Sequence, residues 1–131
     1  MRRIAIDTNV YTAFKCDDQA VIEAFRNCDL IGVDITVVAE LFSGFILGGK
    51  EKKNREELEE FLNSPRVELL PHDLETAEYY ALIVRRLKAK GRPIPTNDIW
   101  IAASAMKHGL ALYSFDTHFQ DIEGLLLLSA I

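Results

Sequence analysis

The sequence predicts an α/β fold, a parallel sheet of five short strands with helices on both faces. Two observations carry this expectation. Short apolar runs of β-type residues recur along the chain, and segments with apolar residues at helical spacing separate them. Strands that alternate with helices in this way pair in parallel and bury both faces of the sheet. The chain has 131 residues, the length of one domain, and shows no internal repeat or low-complexity stretch. Residues 1–131 are therefore expected to form a single domain.

The first strand is RRIAI at 2–6, which ends at Asp7. A short helix over 9–15 follows and breaks at Asp17–Asp18. Residues 20–28 place Val21, Ile22 and Phe25 at helical spacing. LIGVDI at 30–35 is the second strand. Thr36 is the expected N-cap of the next helix, with Val37, Val38, Leu41, Phe42 and Phe45 on its apolar face and Gly48–Gly49 at its end. A polar helix over 51–62 stops at Ser64–Pro65. RVELL at 66–70 is the third strand. Asp73 is then expected to cap a long helix with Leu74, Ala77, Tyr80, Ala81, Val84 and Leu87 on one stripe. Gly91, Pro93 and Pro95 form a linker. The helix from Asn97 carries Ile99, Ala102, Ala103, Met106 and Leu110, and its alanines allow close approach to a sheet. LALYS at 110–114 and GLLLL at 124–128 are the fourth and fifth strands.

Composition narrows the class. Hydrophobic residues make up 49% and charged residues 27%, enough apolar content for a continuous core. Cys16 and Cys28 match no zinc or redox spacing and read as reduced thiols. The apolar run in MRRIAID is too short for a signal peptide, and LLLL at 125–128 is too short to span a bilayer. The expectation is a soluble cytoplasmic protein without a membrane partner. The net charge of −5 argues at first against nucleic acid. KEKKNR at 50–55 and RRLKAKGR at 85–92 are nevertheless local basic clusters, each with a solvated helix face as its default meaning.

Four acids stand out. In an open parallel sheet, ligands bind beyond the carboxyl ends of the strands. Asp7 ends the first strand, Glu40 lies about a turn into the helix after the second, and Asp98 opens the helix before the fourth. Asp116 follows that fourth strand. All four therefore project towards one edge. Taken singly, Asp7 reads as a cap, Asp116 as a turn former and Asp98 as the complement of a helix dipole, worth about 0.3–1 kcal/mol. Glu40 interrupts an apolar run and is harder to explain that way. Crowded together without Lys or Arg, the four carboxylates would repel one another and raise one another's pKa. A divalent cation removes the conflict, and an all-carboxylate set suits Mg²⁺ or Mn²⁺. Most of the net negative charge then belongs to a metal site.

IAIDTN (4–9), TVVAEL (36–41), NDIWIAASA (97–105) and SFDTHF (114–119), in that order, resemble the motifs of PIN-domain nucleases. Among these the chain is most similar to the VapC-type toxins of toxin–antitoxin pairs. The resemblance implies strand order 3-2-1-4-5 and a Mg²⁺- or Mn²⁺-dependent endoribonuclease that hydrolyses RNA phosphodiester bonds. It makes Asp7, Glu40, Asp98 and Asp116 the catalytic and metal-binding quartet, with Thr8 and Ser114 as flanking hydroxyls and Asn9 as the small polar position beside them. It also implies a homodimer, and a cognate antitoxin whose tail fills the active-site groove. Phe14, Phe45 and Trp100 are candidates to meet that tail, with core packing as their default role. Asn97 has no family role. Asp34 and Asp121 read as turn or surface acids, with support of the site as the alternative. His72, His108 and His118 form no ligand spacing with the acids; His118 is close enough to Asp116 to contact substrate, with a surface role as its default.

Other readings fit less well. A haloacid-type phosphohydrolase needs a second aspartate where Asn9 stands, and a response-regulator receiver needs a lysine that LLLLSAI lacks. A non-catalytic PIN-like binding module would be expected to have lost an acid, and this chain keeps all four. A housekeeping RNA-processing nuclease of the same fold is the rival within the enzyme class.

Overall fold

A computed structural model of the chain describes residues 2–128. Five strands form one parallel sheet in the order β3-β2-β1-β4-β5, as the sequence and the family resemblance led us to expect. The strands are β1 (Arg2–Ile6), β2 (Cys28–Asp34), β3 (Val67–Leu70), β4 (Ala111–Tyr113) and β5 (Leu127–Leu128). The helices are α1 (Thr8–Lys15), α2 (Gln19–Arg26), α3 (Ile35–Leu47), α4 (Glu51–Leu62), α5 (Leu74–Lys90) and α6 (Thr96–His108). A 3₁₀ turn covers Thr117–Asp121.

β1 is central, and Ile4, Ala5 and Ile6 are all buried in succession. A strand covered by helices on both faces needs such an unbroken apolar run, where a half-solvated strand would alternate. Ile31 and Val33 of β2 and Leu112 of β4 continue the same core. α6 is buried nearly all round, through Ile99, Ile101, Ala102, Ala103, Ser104 and Ala105. Its small side chains let the helix lie close to its neighbours, and it stops at Gly109, whose φ of 65° suits a residue without Cβ. Phe14, Phe25 and Phe61 cluster with ring centroids 4.8–6.1 Å apart, tying α1, α2 and α4 together. Phe14 and Phe45 thus pack against the core. Cys16 and Cys28 are both free thiols. Among the described residues, no helix is long and apolar enough to cross a membrane.

Three expectations need correction. Thr36 does not cap α3: Asp34 does, accepting from the Thr36 amide at 2.8 Å. Asp34 is also no surface acid, being only 2% exposed. It accepts a hydrogen bond from the Ser104 hydroxyl and lies 2.8 Å from His72 Nε2. His72 in turn stacks on Trp100 at 4.2 Å, and Trp100 packs on Tyr80. A buried carboxylate persists because partners from α3, α6 and the segment before α5 surround it. Finally, the buried stripe of α5 is Thr76, Ile83 and Leu87, whereas Leu74, Ala77, Ala81 and Val84 face outward. Asp73 caps α5 as expected, and Thr76 exchanges hydrogen bonds with it in a capping box, which allows a polar residue to take the inner face.

Removing the Asp34 carboxylate deletes a helix cap and leaves the Ser104 hydroxyl without its acceptor. Asp34→Ala should therefore lower stability by about 2–4 kcal/mol in urea unfolding. A loss under about 1 kcal/mol would mean the network adds little beyond the cap.

Candidate active site

The parallel register carries the carboxyl ends of β1, β2 and β4 to one edge of the sheet, and each predicted acid is held there by local structure. Asp7 follows β1 and caps α1, accepting at 3.2 Å from the Val10 amide. Its other oxygen accepts from the Ser114 hydroxyl just past β4. Ser114 Oγ also accepts from the Asp116 amide at 2.9 Å, so a single hydroxyl joins two of the acids. Glu40 lies half-buried on α3 and accepts from Thr8 Oγ1 and, at 3.3 Å, from the Asn97 side-chain amide. Asp98 sits in the first turn of α6, and Asp116 caps the 3₁₀ turn. The cap and turn roles that each acid has by itself are thus present, and they are what aim the side chains inward.

The electrostatics are those of a crowded anionic site. Burial raises the Asp7 carboxyl above its ordinary value, against the hydrogen bonds from Ser114 and Val10, and the charges of Asp98 and Asp116 push it further. Asp98 is likewise raised, by burial first, with His118 opposing and Asp116 and Glu40 adding to the rise. Among the described residues, none of the four acids pairs with Lys or Arg. One ligand atom from each of Asp98, Asp116 and His118 lies within 4.8 Å of the other two. Carboxylate oxygens that repel one another, with no fixed cation between them, are a donor set that fits a divalent ion.

Thr8 and Ser114 meet the acids as the motif resemblance implies. Asn9 does not: it is exposed and makes no side-chain hydrogen bond among the described residues, whereas Thr8 beside it donates to Glu40. Two residues were missed. Asn97 holds Glu40, and its place one residue before Asp98 in the same helical turn was the available signal. His118 is exposed, as expected, but its contact with the acids themselves was not foreseen: its Nδ1 lies 3.1 Å from Asp116 and 3.5 Å from Asp98. The turn capped by Asp116 folds the ring back over the carboxylates, an effect of backbone shape that linear spacing conceals. Asp121 closes that turn, and its carbonyl accepts from Lys90.

A sheet of this order with acids gathered at its carboxyl edge defines a class, and the sequence profile of the PIN domain matches residues 4–125, so the chain belongs to the PIN-domain family. Within that family its relatives are VapC proteins. Ribonuclease VapC4 of Mycobacterium tuberculosis is 31% identical over 124 residues, covering 91% of this chain and 90% of that protein. DNA-bound VapBC from Salmonella typhimurium superposes with a TM-score of 0.88 at 25% identity over 100% of both chains. VapBC2 from Rickettsia felis, bound to a DNA fragment from its promoter, gives 0.84 at 25% identity over 95% of this chain and 96% of that one.

Because its folded pKa is raised, Asp7 holds its proton more tightly in the folded protein than in the unfolded chain. That contribution to stability is present in full below the ordinary carboxylate range and is lost as pH rises through the raised folded pKa. Asp7→Asn removes the loss and keeps a side-chain oxygen to cap α1. Followed by urea unfolding, the stability of the variant relative to wild type should improve between about pH 4 and about pH 7. A flat or falling difference would remove the case for a raised Asp7 carboxyl.

Proposed function

We propose that the chain is a Mg²⁺- or Mn²⁺-dependent endoribonuclease and the toxin of a VapBC-type pair, with Asp7, Glu40, Asp98 and Asp116 as its metal-binding and catalytic acids. The observation that carries this is the set of carboxylates converging at the sheet edge with no Lys or Arg partner among the described residues. The printed names of the relatives, ribonucleases and VapBC complexes, supply the reaction and the biological setting.

A bound divalent ion supplies Lewis-acid polarisation of the scissile phosphate and a more acidic water. The protein's part is positioning. Asp98 and Asp116 offer the closest donor atoms, Ser114 aligns Asp7 with Asp116, and Thr8 with Asn97 fixes Glu40. A cleft lined by Lys90, Arg92, Pro93, Ile94, His118 and Asp121 opens beside the acids. Its basic side chains, from the cluster at 85–92, give an RNA backbone a cationic approach to an otherwise acidic site. The reading places the protein in the cytoplasm with an antitoxin partner.

We assign the homodimer of this reading to the outward face of α5. Ala77 and Ala81 allow close helix contact, and Glu78 and Arg85 flank Ala81 on the same exposed surface. Antiparallel pairing about Ala81 therefore sets Glu78 of each copy against Arg85 of the other.

Wild-type protein with Mn²⁺ should cleave single-stranded RNA, chelator should abolish cleavage, and Asp98→Asn should reduce it by about a hundredfold or more. Cleavage that survives both treatments would sink the metal-nuclease reading. In sedimentation, wild type should be dimeric and Ala81→Arg monomeric with an unchanged circular dichroism spectrum; a dimeric variant would place the interface elsewhere.

A further inference from the structure

We propose that the imidazole of His118 is a third, nitrogen ligand beside Asp98 and Asp116, so that the site takes a first-row transition ion such as Mn²⁺ in preference to Mg²⁺. This rests on the metal-site reading above and adds a ligand to it that is not an acid.

The geometry points there. The His118 side chain is half exposed and is free of any need to turn inward, yet Nδ1 lies 3.1 Å from Asp116 Oδ1 and 3.5 Å from Asp98 Oδ2. Donor atoms in neighbouring positions around an octahedral ion, each about 2.1 Å from it, stand about 3 Å apart. The two distances from the imidazole nitrogen are close to that spacing, and all three donor atoms lie within 4.8 Å of one another.

Their placement is built into the backbone. The His118 amide donates to Asp116 Oδ1 at 2.9 Å, which fixes the histidine relative to the carboxylate it accompanies. Phe119, the next residue, is fully buried and anchors the turn from the other side. Asp98 comes from a different element, the first turn of α6, so the three donors converge from two independently packed segments.

Ligand chemistry then decides the ion. Mg²⁺ prefers oxygen donors and keeps much of its water, whereas imidazole strengthens binding along the first-row transition series. With the imidazole of His118 added to the acids, the site should therefore separate Mn²⁺ from Mg²⁺ more than the four carboxylates alone would.

The test uses Mn²⁺ as the probe, on wild-type protein, His118→Ala, His118→Gln and Asp98→Asn, each checked for folding by circular dichroism. Pulsed EPR of the Mn²⁺-loaded wild type should show the ¹⁴N coupling of a directly bound imidazole, absent in both His118 variants, which also excludes His72 and His108 as its source. By calorimetry, Mn²⁺ affinity should fall in those variants by roughly tenfold or more, and Mg²⁺ affinity by clearly less. Bound Mn²⁺ without nitrogen coupling, or coupling that persists without His118, overturns the proposal and leaves the carboxylate site standing. If wild type binds no Mn²⁺, or Asp98→Asn binds it equally well, the metal reading itself falls and takes the proposal with it.

Discussion

The constraint on which the rest of the structure depends is mutual repulsion among carboxylates held at one sheet edge. Asp7 and Asp98 each feel the charge of Asp116, and Asp98 feels Glu40 as well. Burial is the larger cost for both, and it also sharpens the repulsion, because a half-dry site screens charge less than water does. Such an arrangement does not assemble by attraction among its members. It has to be imposed by packing elsewhere, and the unbroken apolar runs of β1 and α6 are what impose it.

The protein treats its acids in two ways. Those with structural duties receive cations or a histidine. Asp73 caps α5 and pairs with Lys107, whose hydrogen bond holds the carboxyl well below the usual carboxylate range. Asp34 caps α3 and has His72 beside it. The acids at the edge receive no Lys or Arg among the described residues: the hydroxyls of Thr8 and Ser114, the amide of Asn97 and main-chain N–H groups orient them, and His118 is the one ring beside Asp98 and Asp116. Neutral donors orient a carboxylate without cancelling its charge, so each acid keeps its capacity for a cation. A lysine in any of those places would give a firmer fold and a weaker site, the usual opposition between stability and activity.

Much of this was legible in the sequence because it depends on short-range patterns. A strand ending in an acid, an acid in the first turn of a helix and an apolar run without alternation are all local signals, and they located the sheet and the four acids. The parts that were not legible depend on which residues meet across elements. Asp34 looked like a turn residue because its partners are Ser104, seventy positions away, and His72. α5 carries apolar residues on two faces, and periodicity alone cannot say which one is buried. Leu74 looked like a core residue and is 87% exposed, while Thr76 looked polar and is buried because Asp73 satisfies its hydroxyl.

The same distinction explains why SFDTHF was read for its aspartate and not for its histidine. Asp116 is identified by being acidic in the right place, which a linear pattern captures. His118 matters only because Asp116 accepts from its backbone amide, bending the chain so that a side chain two residues on returns to the carboxylate. Capping and the approach of the ring are then one arrangement: the oxygen that fixes the turn also brings the nitrogen into place. In a chain of this size that economy has a consequence for variation. Under the proposed coordination, a substitution at residue 118 would keep the four acids and change which donors face the site, so the choice of ion would shift without disturbing the fold that gathers the charge.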